Sequence, residues 1–410
     1  MPTVGILGAG AMGAGIAQVA ATAGWTVRLI DVDVETVAAA IQGVQARLDR
    51  AVGKGRMDTA AAAETLSRLQ ASTITDLGDC DLFIEAIVED LDIKASAVAP
   101  AIDVLPADAI IATNTSSLSV GDLGARLDAG DRVCGMHFFN PAPIMKLVEV
   151  VRGRETRDDV VDRVAEIASS WGKQVARCAD TPGFIVNRVA RPYYLEAFRC
   201  LEDGLADAAS IDAAMKTIGG FRMGPFELTD FIGHDVNTAT TRTVWEQWDR
   251  PARLLPSHTQ EQLAAEGNLG RKTGCGVYDW SGAEPMAVLR PPQEAATGVE
   301  ALSDIAARLC LAATSNAEAA KKASSSQQIA FMRVLAAVLN EAAWAASDGV
   351  ADPDDIDIAM RAGVNYPKGP FEWWRSIGED LMGEVLAALR ENVQADRFSR
   401  PPEAPGDASH

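Results

Sequence analysis

The segment Gly8-Ala9-Gly10-Ala11-Met12-Gly13 constrains this chain more than any other. It follows Thr3–Leu7, an apolar run that reads as a buried strand, and it opens residues 13–23, which read as a helix. The first glycine permits a tight turn, the second lets backbone approach a pyrophosphate, and the third lets helix and strand pack closely. Free N–H groups at the helix start attract phosphates. Asp31 closes the next apolar run, Thr26–Ile30, and lies 18 residues past Gly13. That is close to the spacing at which a carboxylate binds ribose hydroxyls. A carboxylate there repels a 2′-phosphate, so NAD rather than NADP is the expected cofactor. Glycine-rich turns are common, and it is the strand, the helix and Asp31 together that favour a dinucleotide site. Gly8, Gly10, Met12, Gly13 and Asp31 are its candidate residues.

The same alternation continues through the first 180 residues. Residues 82–86, 109–113 and 133–137 read as further buried parallel strands, 147–151 as one more, and 34–52 as a helix. This grammar implies a parallel sheet covered on both faces. Asp180-Thr181-Pro182-Gly183 reads as a turn, beyond which strand signals vanish. The expected division is a cofactor domain over 1–183, a helical domain over 184–280, a linker over 281–300 and a second helical domain over 301–397. The tail, 398–410, holds three prolines from residue 401 onward and is expected to be disordered.

The two helical blocks repeat one another. Residues 188–227 align without gaps with 333–372 at an offset of 145. Glu196-Ala197 recurs as Glu341-Ala342, Asp203-Gly204 as Asp348-Gly349, and Ile211-Asp212 as Ile356-Asp357. Gly224-Pro225-Phe226-Glu227 recurs as Gly369-Pro370-Phe371-Glu372. Shared helical propensity does not produce so many matches in register, so a duplicated domain is expected. The two copies are expected to pack on each other as an internal pseudo-dimer, with a homodimer through another surface left open.

Lys plus Arg number 37 against 57 Asp plus Glu, a net charge of −20. Such a field repels nucleic acid and anionic lipid, so neither is an expected partner. No apolar stretch is expected to reach the roughly 18–20 residues of a membrane span. Because Thr3–Leu7 already reads as a buried strand, no signal peptide is expected. The six cysteines form no CxxC pair, which suggests reduced thiols in a cytoplasmic protein without a metal site.

An anionic ligand must then be held by local basic groups. Arg47, Arg50 and Lys54 stand at i, i+3 and i+7, on one helix face. They form either a phosphate dock or a solvated surface. His137 ends a strand in Gly135-Met136-His137-Phe138-Phe139-Asn140-Pro141, and Glu149 follows twelve residues later. Ligands bind at the carboxyl ends of such strands, where a His with a carboxylate partner serves as a general base. The alternative is a structural histidine. Asn114-Thr115-Ser116-Ser117-Leu118 follows another strand end, so Ser116 either binds a substrate oxygen or caps the next helix. Asn187 is either an oxyanion donor or a local cap.

Taken together, these residues resemble the L-3-hydroxyacyl-CoA dehydrogenase family, over about residues 1–280 and the repeat at 326–397. The motifs that carry the resemblance are the glycine loop, Glu85-Ala86-Ile87-Val88-Glu89, Asn114 to Leu118, His137 to Pro141, residues 180–188 and Lys272-Thr273-Gly274. The resemblance implies a Rossmann-type α/β domain followed by helical domains, and NAD-dependent oxidation of a (3S)-3-hydroxyacyl-CoA. It implies His137 as base, oriented by Glu149, with Ser116 and Asn187 on the substrate's C3 oxygen. Glu89, Asn140 and Lys272 match cofactor contacts, and Lys54 and Lys94 match coenzyme A contacts. The family's serine near coenzyme A aligns with Arg47, and the second copy has Met332 in place of Asn187. That copy therefore reads as structural. A short-chain or dicarboxylic acyl group is expected. The alternatives are a sugar-acid or carnitine-type dehydrogenase, or a redox-silent crystallin-like protein.

Overall fold

A computed structural model describes residues 1–292, 299–393 and 396–402. It has two compact units, Met1–Phe184 and Ile185–His410.

The first unit is built on an eight-stranded sheet. Its strands are β1 (Thr3–Leu7), β2 (Thr26–Ile30), β3 (Leu69–Ala71), β4 (Leu82–Glu85), β5 (Ile110–Thr113), β6 (Val133–Phe138), β7 (Leu147–Arg152) and β8 (Gln174–Ala179). The order is β3-β2-β1-β4-β5-β6-β7-β8. β1, β4, β5 and β6 are buried along their whole length, as strands covered on both faces must be. The strand order reverses between β1 and β4, which opens a crevice at their carboxyl ends.

One expected strand direction is corrected. The apolar run at 147–151 forms β7, but it runs antiparallel to β6. Only eight residues join them, and a parallel return needs a crossover of about a dozen or more. The helix Asp158–Ser170 then returns the chain so that β8 lies parallel to β7. β3 and β8 were not expected: β3 has three residues with one buried, and β8 alternates along the sheet edge.

Among the described residues the second unit is helical apart from isolated bridges at Gly270, Cys275 and Asp279 and a small hairpin, Tyr278–Asp279 with Met286–Ala287, whose second strand lies in the expected linker. Residues 293–298 of that linker lie outside the described residues. Ser399, expected in a disordered tail, is held: its carbonyl accepts from Asn340 Nδ2 at 3.1 Å and Trp344 Nε1 at 2.9 Å. Residues 403–410 lie outside the described residues. Against expectation, one helix, Ser325–Ser347, is long and apolar enough to cross a membrane, yet 83% of its most apolar stretch is buried within the protein. It packs against Arg191–Glu202 and Val299–Ala313 as a core helix.

Two charge networks hold this core. Arg188 Nε donates to Glu341 at 2.7 Å, and the same guanidinium pairs with Asp348 at 2.5 Å. Arg333 Nε donates to Glu196 at 2.8 Å, and Arg333 pairs with Asp203 at 2.7 Å. Each residue of one set lies 145 positions from its counterpart in the other. Asp212 likewise accepts from the N–H groups of Phe226 and Glu227, and Asp357 from those of Phe371 and Glu372. Burial alone would raise the pKa of Glu196, but Arg333, Arg397 and Arg199 pull it down to about 2.

Breaking such a buried network leaves charges unpaired. Glu196→Gln should therefore destabilise the protein by about 3–5 kcal/mol near neutral pH in urea unfolding. The unfolded carboxyl titrates near about pH 4.3, so the wild-type contribution is full above that value and fades as pH falls towards about 2. The variant should lose that part of the acid dependence.

Candidate active site

The glycine loop joins β1 to the helix Ala11–Thr22. Gly8 has φ +104°, and a Cβ there would lie 2.5 Å from the carbonyl oxygen of Ala86. A Cβ on Gly13 would lie 1.8 Å from the Gly8 carbonyl, so helix and loop touch there without room for a side chain. A Cβ on Gly10 would meet nothing within 4 Å. The loop is thus tight on its inner side and open at Gly10, as a backbone that cradles a pyrophosphate must be. Asp31 accepts from the N–H of Ala9 at 2.7 Å, which fixes its carboxylate beside the loop.

The next wall rises from the ends of β4 and β5. Glu85 is fully buried and accepts from Lys94 Nζ at 2.6 Å, Thr113 Oγ1 at 2.7 Å and the Ile87 N–H at 2.7 Å. Lys94 is 1% exposed and also lies 3.3 Å from Glu89. It is therefore not a surface cation beside Lys54, as a direct coenzyme A contact would require. It is a strut between two carboxylates. Glu89 gathers the loop after β5: its Oε1 accepts from Thr115 Oγ1 at 2.7 Å, from the N–H groups of Ser116 and Ser117, and from both serine hydroxyls. Burial disfavours the Glu89 carboxylate, but the Thr115 hydroxyl, Lys94 and the serine donors outweigh it and hold its pKa below the usual value. Ser116 is fixed by this hub, with its Oγ 3.2 Å from Glu89.

The antiparallel pairing of β6 and β7 sets His137 directly across from Glu149. Their Nδ1 and Oε2 are 2.7 Å apart, with His137 6% exposed and Glu149 fully buried. Phe139 and Phe184 flank the imidazole, with ring centres at 4.5 and 5.8 Å. Asn114 Oδ1 accepts from the Phe138 N–H at 2.8 Å, tying the end of β5 to β6 next to the histidine. Asn140 lies exposed just beyond.

Asp180 has a role the sequence reading missed. The expected turn residue accepts from Ser119 Oγ and the N–H groups of Val120 and Gly121, capping the helix Val120–Arg126 that follows the Ser116 loop. The signal was an acid at the end of an edge strand, which sequence alone does not pair with residue 120.

The expected basic face is only partly free. Arg47 is half-buried and donates to Gln18 Oε1 at 2.7 Å and the Ala14 carbonyl, while Arg50, Lys54 and Arg56 are exposed. Asn187 and Lys272 belong to the second unit. Asn187 is half-buried on the short helix Val186–Val189, and Lys272 is ion-paired with Asp235.

This arrangement has known counterparts. Residues 3–181 match the family model for the 3-hydroxyacyl-CoA dehydrogenase NAD binding domain. Residues 183–280 and 330–405 match the model for the C-terminal domain of the same enzymes. The chain belongs to the 3-hydroxyacyl-CoA dehydrogenase family. It is 40% identical to 3-hydroxyadipyl-CoA dehydrogenase of Escherichia coli K12, over 97% of this chain and 95% of that one. It is 40% identical to the mitochondrial hydroxyacyl-coenzyme A dehydrogenase of Sus scrofa, over 68% of this chain and 90% of that one. The crystal structure of 3-hydroxybutyryl-CoA dehydrogenase from E. coli K12 superposes with a TM-score of 0.87 at 37% identity, covering 98% of this chain and 97% of that one. As a family member with an NAD-binding domain, the chain has the open glycine loop and the fixed Asp31 that this cofactor needs.

Gly10 and Gly13 should separate binding from folding. Gly10→Ala has a permitted φ of −66° and open space, so the melting temperature should hold while NADH affinity falls about 10-fold or more. Gly13→Ala should instead lower the melting temperature, because its Cβ has nowhere to go.

Proposed function

We propose that this protein catalyses the reversible oxidation of a (3S)-3-hydroxyacyl-CoA to the 3-oxoacyl-CoA with NAD. The buried His137–Glu149 pair at the carboxyl end of β6 carries the reading. Glu149 holds the proton of Nδ1, which leaves Nε2 as the basic nitrogen. His137 Nε2 takes the proton from the substrate's C3 hydroxyl, and Glu149 stabilises the imidazolium that results. NAD, when bound, supplies the hydride acceptor. Ser116 and Asn187 orient the C3 oxygen, a role taken from the resemblance. Glu89 keeps Ser116 in place, and the aromatic rings beside His137 keep water away from it. Gly8, Gly10, Met12, Gly13, Asp31, Glu89, Asn140 and Lys272 are the proposed NAD contacts. Lys54 and Arg50 are the proposed coenzyme A contacts, and Lys94 acts only through Glu85 and Glu89.

The helical region is proposed to be a duplicated domain, 184–280 and 301–397, whose halves meet as an internal pseudo-dimer. The reciprocal pairs Arg188–Glu341 and Arg333–Glu196 support it, because an isologous contact repeats each interaction with the partners exchanged. A cytoplasmic location belongs to the same proposal and rests on the cysteine spacing.

NADH oxidation with acetoacetyl-CoA tests the activity. His137→Gln should lower kcat by about 10²–10⁴-fold while NADH binding stays near that of the wild type. Glu149→Gln should slow turnover and shift its pH profile. Wild-type turnover in the His137 variant would remove the mechanism.

A further inference from the structure

Among the described residues of the second unit three arginines are buried: Arg188, Arg191 and Arg333. Arg188 and Arg333 each face two carboxylates. Arg191 faces none among the described residues. Its NH1 has only two long contacts, 3.3 Å to Thr241 Oγ1 and 3.4 Å to the Asn237 carbonyl. The guanidinium lies over the Tyr194 ring at 5.1 Å, and its Nε is buried with no hydrogen-bond partner. Asn237 Nδ2 is a second buried donor without a partner, although its Oδ1 accepts from Gln260. A charge removed from water without a counter-ion is strongly unfavourable, and an anion from outside the chain would offset that cost.

The scaffold does not require these polar groups. At the 145-residue offset, Arg191, Asn237 and Thr241 correspond to Ala336, Met382 and Leu386, all buried and apolar. The helices at the offset positions, Ser325–Ser347 and Glu379–Asn392, thus pack with apolar side chains at those places. The position at which Asn187 becomes Met332 follows the same pattern.

Arg191 lies four residues after Asn187. Ala190 keeps right-handed helical dihedrals (φ −77°, ψ −15°), so the turn between them is helical. Residues four apart on a helix lie about 5–6 Å from each other on one face. That Cβ spacing is comparable with the span from an acyl C3 oxygen to a carboxylate at C6.

We propose that Arg191, with Asn237, receives the terminal carboxylate of a six-carbon dicarboxylic acyl-CoA and makes this enzyme select a 3-hydroxy dicarboxylic thioester over its monocarboxylic equivalent. The proposal rests on the dehydrogenase reading above and names the substrate class of that site.

The test compares NADH oxidation with 3-oxoadipyl-CoA and 3-oxohexanoyl-CoA, which differ only in carboxylate against methyl at C6. Wild-type enzyme should favour the dicarboxylic ester in kcat/KM. In Arg191→Met the ratio of the two kcat/KM values should fall by about 10²-fold or more, because a site built for a polar group discriminates strongly. Arg191→Lys keeps a charge and should raise KM for the dicarboxylic ester alone, which covers the case in which the methionine variant does not fold. A wild-type enzyme that turns over both esters with equal efficiency would overturn this proposal and leave the dehydrogenase reading intact. So would Arg191 variants that slow both substrates alike. A wild-type enzyme inert towards both would overturn the dehydrogenase reading itself.

Discussion

The antiparallel pairing of β6 with β7 is the constraint on which the chemistry depends. Every other neighbouring pair in the large sheet is parallel, and in a parallel pair a carboxylate reaches the end of the next strand only after a helical crossover. The eight-residue connection between β6 and β7 forces the reversal. Cross-strand register then sets His137 opposite Glu149 as directly bonded neighbours. A slip of one residue would send Glu149 to the opposite face of the sheet and leave the imidazole without its acid. The pair is therefore held by backbone hydrogen bonds rather than by flexible side-chain reach.

A second layer of carboxylates stiffens the surroundings. Glu85 locks β4 to β5 through Thr113 and anchors Lys94, and Glu89 gathers the Ser116 loop. Asp180 fastens the start of the following helix. Each acid accepts several donors, so each organises more than one segment. In a protein with so large an excess of acidic residues, part of that excess thus serves as internal scaffolding rather than as surface charge.

Much of this was legible in the sequence because buried parallel strands are continuous apolar runs and the glycine loop has a fixed spacing. The apolar runs match the bounds of β1 and β2 and lie within a residue of those of β4, β5, β6 and β7. β3 carried too few buried residues to produce a pattern, and β8 alternates like a surface strand. Strand direction was not readable from the run at 147–151, since composition is the same either way. Lys94 is a coenzyme A contact only by resemblance, and only the fold reveals Glu85 behind it. Arg191 left no trace in a hydropathy pattern. Its signal was the contrast with Ala336, visible once the repeat is aligned.

The reciprocal arginine pairs also bear on how the second unit is made. Glu341 and Asp348 lie 153 and 160 residues after Arg188. At about 5–20 residues per second, a ribosome needs on the order of ten seconds or more to deliver them. Over that interval the first helical half has been synthesised, yet the guanidinium at its centre has no carboxylate to meet. Its packing around Arg188 is therefore complete only after Glu341 and Asp348 have been made. Such a long sequence separation makes the closure of this core a late event in biogenesis.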